Sequence, residues 1–250
     1  MSISCISDIH VRRPDDEAYQ LLLQFLGHPK VKESDSVAFL GDVFDHLTGE
    51  HEGYLEKFKQ FFQKVEELLV AGKRVYFIEG NHDFHFKKTF HKRLARTLNR
   101  SELDSFSYAR GSLTIELGAK RHLLFHGDLL DSENKAYMRW KKIYSSKPFG
   151  FFISHILPFS IVEKIGDKAS ENSRERSKDS FNYHKEKEKY RQAVQVFGAD
   201  LNVDRIIGGH THIQDEFFWK DKAYYNIGYP LKDKSFLFIQ EKGVERVSLA

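Results

Sequence analysis

The sequence predicts an α/β domain, and three observations carry that reading. Short apolar runs alternate with amphipathic stretches in the first third of the chain. Each apolar run stops at Gly, Asp or Asn, and the second half switches to closely spaced runs joined by polar turns. Ser2 to Ser7 reads as a buried strand running into Asp8, and Asp15 to Leu26 as a helix with Leu22, Phe25 and Leu26 on one side. Ser36 to Leu40 is a second strand, stopped by Gly41-Asp42. From Gly53 to Val70, Tyr54, Leu55, Phe58, Phe61, Phe62, Val65, Leu68 and Leu69 recur every three or four residues, which predicts one long helix. Ala71-Gly72 ends it, and Arg74 to Glu79 is a third strand before Gly80-Asn81. This alternation implies parallel pairing with helices covering the sheet.

Leu113–Leu117 and His122–Phe125 read as a strand pair around Gly118-Ala119. Arg205–Ile207, Glu216–Trp219, Ala223–Asn226, Phe236–Gln240 and Glu245–Leu249 read as further strands. Ser132 to Ala199, between these groups, reads as mostly helical.

At 250 residues the chain can bury one sizeable core, or one core with a grafted subdomain. With 22 Phe and 40% hydrophobic residues, large-scale disorder is excluded. The net charge of +3 is too small to argue for nucleic acid by itself. The lone Cys5 excludes a disulfide within the chain and suits a reducing compartment. Residues 1–10 lack the pattern of a signal peptide, which predicts a cytosolic protein. The longest apolar stretch, Pro148 to Val162, is shorter than the ~20 residues of a spanning helix and contains His155 and Pro158.

Five polar clusters directly follow apolar runs: Asp8-Ile9-His10, Gly41-Asp42-Val43-Phe44-Asp45, Gly80-Asn81-His82-Asp83, His126-Gly127-Asp128 and Gly208-Gly209-His210-Thr211-His212. In α/β sheets ligands bind beyond the carboxyl ends of the strands, so the five runs deliver these groups to one edge. Carboxylates, imidazoles and an amide without thiolates suit Mn, Fe, Zn or similar divalent ions. Asp8, His10, Asp42, Asn81, His126, His210 and His212 are too many for one tetrahedral zinc. They suit two ions ~3.5–4 Å apart sharing a carboxylate. Each cluster alone has an ordinary alternative: a turn with exposed histidines, or an Asp after a strand. Five in series at strand ends defeat it.

The series Asp-x-His, Gly-Asp-x-x-Asp, Gly-Asn-His-Asp, His-Gly-Asp and Gly-His-Thr-His resembles the calcineurin-like metallophosphoesterases, in order, from position 8 to 212. The resemblance implies a four-layer αββα sandwich, one domain over residues 1–250, with a helical lid at about 132–199. It implies that Asp8, His10 and His212 hold one metal, Asn81, His126 and His210 the other, and that Asp42 bridges them, with Mn²⁺ the first choice and Fe or Zn alternatives. It further implies that water activated by the two metals attacks phosphorus, that His82 donates to the phosphate or leaving group, and that Asp45 and Asp83 orient metal-binding side chains. From the residues alone, a turn-forming role for Asp45 and Asp83 is equally open.

The stretch His-Gly-Asp-Leu-Leu-Asp-Ser-Glu-Asn-Lys-Ala-Tyr from His126, Lys147-Pro148 with its apolar run, and Ala169-Ser-Glu-Asn-Ser-Arg are similar to one branch, the UDP-2,3-diacylglucosamine pyrophosphatases of lipid A synthesis. That similarity implies attack on the α-phosphorus, giving UMP and 2,3-diacylglucosamine 1-phosphate. It implies substrate contacts from Asn81, His82, Asn134, Ser173, Ser177 and His210. Many members of the branch carry Arg where this chain has His82, and an Asn and a Lys where it has Ser177 and Ser180.

Phe149, Phe151, Phe152, Ile153, Ile156, Leu157, Phe159, Ile161 and Val162 supply more apolar surface than a small lid needs. Lys164, Lys168, Arg174 and Arg176 lie close by and suit phosphates or an anionic bilayer. A helical hairpin packed on the sheet and a lipid pocket both explain this pattern, and the resemblance favours lipid. The partners expected are therefore a UDP-linked diacylated glucosamine and the cytoplasmic face of the inner membrane, held peripherally, with no nucleic acid and no obligate protein partner. The basic run Ser177 to Arg191 reads as a solvated helix with Glu and Lys at pairing distance. The rival classes are another phosphodiesterase, nucleotide phosphatase or nuclease of the superfamily, and a metal-blind scaffold, which should have lost ligands that are all present here.

Overall fold

Side chains of successive strand residues point alternately to two different cores, and that alternation builds the layers. The computed structural model describes residues 1–130, 135–176 and 183–249, apart from the side chains of 171–176. Strands β1 (Ser2–Ile6), β2 (Ser36–Leu40), β3 (Leu47–Thr48), β4 (Arg74–Ile78), β5 (Asp83–Phe84) and β6 (Phe106–Ala109) belong to the first half. The helices among them are α1 (Glu17–Gly27), α2 (Pro29–Glu33), α3 (Gly53–Lys57), α4 (Lys59–Val70), α5 (Lys87–Leu94) and α6 (Arg100–Asp104). Then follow β7 (Ser112–Leu117) and β8 (Lys120–Phe125), and four helices, α7 (Lys135–Tyr144), α8 (Lys147–His155), α9 (Phe159–Arg176) and α10 (Tyr183–Gly198). The chain closes with β9 (Arg205–Gly208), β10 (Asp215–Trp219), β11 (Lys222–Asn226), α11 (Pro230–Asp233), β12 (Ser235–Gln240) and β13 (Gly243–Ser248).

One sheet runs in the order β13-β12-β1-β2-β4-β6, with β1, β2, β4 and β6 parallel. The other runs β10-β11-β9-β8-β7, with β11, β9 and β8 parallel. In β2, Val37 and Phe39 join the core under α1 and α4, while Ala38 and Leu40 face the core between the sheets. In β8, Leu124 faces that same middle core, and Leu123 and Phe125 pack beneath α10 with Tyr190 and Val194. Period-two alternation thus places helices on both outer faces of two stacked sheets, the expected αββα sandwich.

The single helix expected from Gly53 to Val70 is two. Phe58 leaves helical geometry at φ −113° and ψ 37°. Its ring lies 4.5 Å from Phe44 and 5.9 Å from Tyr19. The Tyr19 hydroxyl accepts the Phe61 N–H at 3.0 Å, at the first turn of α4, sharing that donor with Phe58 O at 3.0 Å. Neither partner is near in sequence, so periodicity alone reads through the break. Strand β6, which pairs with β4 at the sheet edge, and the short helices α5 and α6 are likewise absent from the sequence reading.

Candidate metal centre

Strands β1, β2 and β4 of one sheet and β8 and β9 of the other end at the same edge of the sandwich. The loops that follow carry Asp8 and His10, Asp42 and Asp45, Asn81 and His82, His126, and His210 and His212. Asp8, His10 and His212 bring their ligand atoms together, and so do Asp42, His126 and His210. Asp42 Oδ2 stands between the two groups, 3.4 Å from His126 Nε2 and 3.9 Å from His10 Nε2.

The neighbours of each ring decide which nitrogen is free. Leu40 O accepts from His126 Nδ1 at 2.9 Å, and Asp45 Oδ1 lies 3.2 Å from His10 Nδ1. Both rings therefore turn Nε2 into the site. There His126 Nε2 meets Asn81 Oδ1 at 3.1 Å and His210 Nδ1 at 3.2 Å, and His10 Nε2 meets His212 Nε2 at 3.0 Å. Acceptor facing acceptor is unfavourable unless a proton or a cation lies between them. The donor set of oxygens and imidazoles suits a divalent ion.

Electrostatics point the same way. Burial pushes Asp42 and Asp8 up, but the histidines beside them reverse this, so both stay below the usual carboxylate range. Burial also pushes His126 down, yet Asp42 overrides it and holds the ring at about 10. His210, buried beside His126, falls to about 4. Two buried carboxylates in contact with imidazoles make a site that retains positive charge.

Backbone strain collects here. Asp8 (φ 52°), His10 (54°), Asp42 (51°), His210 (70°) and His212 (56°) are all left-handed, a conformation costing about 1–2 kcal/mol for residues other than glycine. Glycines make the approach possible. A Cβ on Gly209 would lie 2.1 Å from Asp8 Oδ2, and one on Gly80 would lie 2.1 Å from Asp42 Oδ1.

Asp45 supports His10 through Oδ1 and faces Arg12 Nε at 3.2 Å through Oδ2. Asp83 works differently from the expectation that it orients a metal-binding side chain. Its carboxylate accepts the backbone N–H groups of Gly80, Asp42, Val43 and Phe44, at 2.7 to 3.3 Å. It holds the two loops rather than a ligand ring. Burial, then the Asp42 charge, raises Asp83 to about 7.

His82 donates its backbone N–H to Asp42 Oδ1 and its Nδ1–H to Asp45 O, both at 2.9 Å. Asn134 and Ser177, and the side chain of Ser173, lie outside the described residues.

Several residues at the site carry no role in the sequence reading. Asp128 accepts the Tyr137 hydroxyl at 2.7 Å and pairs with Lys141, so α7 is anchored beside His126 and His210. Asp128 belongs to the His-Gly-Asp cluster, and Tyr137 and Lys141 are four apart on one helix face, which was the available signal. Tyr229 stacks on His212 with ring centres 4.9 Å apart and planes 6° from parallel. Nothing around Tyr229 in the sequence marks it.

The helices between β8 and β9 cover this edge. Of the apolar residues singled out there, Ile153 and Val162 are buried, whereas Phe151, Phe152, Ile156 and Ile161 are exposed, together with Trp140, Ile143 and Ile165. Among the described residues no single helix is long and apolar enough to cross a membrane; α8 and the first part of α9 are bent by 119°.

The sequence model of the calcineurin-like phosphoesterases matches residues 1–214. The UDP-2,3-diacylglucosamine hydrolase of Photorhabdus laumondii subsp. laumondii is 28% identical over 250 residues, covering 97% of each chain. The enzyme of that name from Neisseria gonorrhoeae is 27% identical over 217 residues, covering 83% of this chain and 80% of its own. A solved archaeal phosphodiesterase, 11% identical, covers 99% of each chain with a TM-score of 0.50, which speaks to the fold alone. Two stacked sheets delivering Asp, Asn and His to one edge are what that match predicts, and the chain belongs to the calcineurin-like phosphoesterase family of metal-dependent hydrolases.

Proposed function

We propose that the protein hydrolyses UDP-2,3-diacylglucosamine to UMP and 2,3-diacylglucosamine 1-phosphate, using two divalent ions, Mn²⁺ by preference. The observation that carries the reading is the pair of ligand groups meeting at Asp42 Oδ2 beneath an apolar helical insertion. Relatives named for this hydrolase match 83% or more of the chain.

In this reading Asp8, His10 and His212 hold one ion, Asn81, His126 and His210 the other, and Asp42 serves both. When bound, such a pair supplies Lewis acidity and lowers the pKa of water. The protein groups do the positioning. Asp45 fixes the His10 ring, and Asp83 fixes the backbone that presents Asp42. His82, with Nδ1–H committed to Asp45 O, donates from Nε2 to the phosphate or leaving group only as the imidazolium, in which both nitrogens carry protons. Asn81, His82 and His210 would contact the substrate from the core, and Asn134, Ser173 and Ser177 from the insertion.

Helices α7 to α10 act as the lid of a single domain. The exposed Phe151, Phe152, Ile156 and Ile161 precede Lys164 and Lys168 in the chain, a combination that suits acyl chains and the anionic cytoplasmic face of the inner membrane. The protein would bind that face peripherally.

The test is UMP release from UDP-2,3-diacylglucosamine with Mn²⁺. We expect turnover, abolished by Asp42→Ala. Cleavage of a chromogenic phosphodiester with no turnover of the lipid nucleotide would instead favour a general phosphodiesterase, the reading that a histidine at position 82 supports.

A further inference from the structure

We infer that Ser170 is a positioning residue that ties the helical insertion to His82 through one shared carbonyl, Asp45 O. The inference rests on the reading of His82 as the residue that donates to the substrate. On α9, Val162, Gly166 and Ser170 follow at four-residue spacing and form the seam that faces the core. Ser170 is 3% exposed, and its hydroxyl donates to Asp45 O at 3.2 Å. The same oxygen accepts His82 Nδ1–H at 2.9 Å. A carbonyl has two lone pairs, and here one holds the insertion while the other orients the ring.

The rest of the seam makes this contact obligatory. A Cβ on Gly166 would lie 2.0 Å from His46 Cγ, so α9 can come this close only with glycine there. At the start of α9, Phe159 packs edge-on against Tyr54 at 4.9 Å, and Glu163 pairs with Lys57 at 2.7 Å. The loop carrying Asp45 and His46 is thus clamped from above by α9, while the Asp45 carboxylate faces His10 and Arg12 below. A shift of α9 moves Asp45 O, and His82 moves with it. Misplacement by about 1 Å costs up to roughly 100-fold in rate.

The test is a double-mutant cycle on the metal-loaded full chain, with Ser170→Ala, Ser170→Thr, Gly166→Ala, His82→Ala and Ser170→Ala/His82→Ala. Rates are read on UDP-2,3-diacylglucosamine and on a p-nitrophenyl phosphodiester. Hydrogen exchange over residues 159–170 and 45–48 is read beside them, so the outcome does not depend on either substrate. We expect Ser170→Ala to lower kcat roughly tenfold with KM and metal content unchanged. Ser170→Thr should restore the rate, Gly166→Ala should mimic the loss, and exchange in both segments should rise in Ser170→Ala and Gly166→Ala. On the His82→Ala background the Ser170 effect should vanish. Full additivity of the two losses, or unchanged exchange in both segments, overturns the coupling while leaving His82 its role. A wild-type rate in His82→Ala with slowed Ser170→Ala removes the His82 reading instead.

Discussion

Asp45 Oδ1 lies 3.2 Å from His10 Nδ1, so a carboxylate buried behind the metal-facing edge sets which nitrogen of His10 is presented. Partners of this kind contribute about 10–100-fold to metal affinity. Asp45→Ala should therefore weaken Mn²⁺ binding by about that factor in a calorimetric titration, with the fold intact by circular dichroism. Unchanged affinity would reduce Asp45 to a turn former.

Asp42 Oδ2 lies between both groups. Mn²⁺ at 100 times its dissociation constant should raise the unfolding free energy of the wild type by about 2.7 kcal/mol per site. Asp42→Ala should lose most of that gain and bind less than two metal equivalents by elemental analysis. A variant with full metal content and full stabilisation contradicts the shared role.

Gly209→Ala introduces a methyl 2.1 Å from Asp8 Oδ2, in a loop with no room to yield because Asp8 also accepts the His210 N–H at 2.9 Å. Loss of the metal-dependent thermal shift is expected, together with destabilisation of about 1–3 kcal/mol from overpacking. Gly27, with nothing within 4 Å of its position, provides the control, since Gly27→Ala should leave both readouts alone.

Asp215 joins β10 to α10 by accepting Arg191 Nε at 2.8 Å and Arg191 Nη2 at 2.7 Å, with Lys187 at 2.9 Å. Burial pushes its carboxyl up, but Arg191 and Lys187 hold it below its ordinary value of 3.8. A depressed folded-state pKa means that the folded state binds fewer protons, so this stabilisation is present above the unfolded pKa and fades as pH falls through the depressed value. Asp215→Asn should cost about 1.5–3 kcal/mol near neutrality in urea unfolding. The gap to wild type should narrow as pH falls below 3.8 and the Asp215 carboxyl takes up its proton. A gap that stays constant through acid pH would assign the loss to packing.

Much of the site was legible because metal chemistry restricts residue type and because ligands collect where parallel strands end. Asp8, Asp42, Asn81, His126 and His210 each follow a strand whose apolar run is visible in the sequence. Local patterning could not show the break at Phe58, where distant Phe44 and Tyr19 rings determine the backbone. Nor could it show that Asp83 grips backbone amides, since a Gly-Asn-His-Asp motif reads the same whichever donors its last carboxylate finds.

The sequence by itself determined the candidate metal-binding residues, their order and the alternation that sorts side chains into three cores, because residue chemistry and a period of two are local properties. Only the tertiary structure decided that strands of two separate sheets share one edge, that His126 and His10 turn Nε2 into the site, and that Ser170 and His82 meet at Asp45 O. Those depend on contacts between residues far apart in the chain, where a few tenths of an ångström separate a hydrogen bond from a gap.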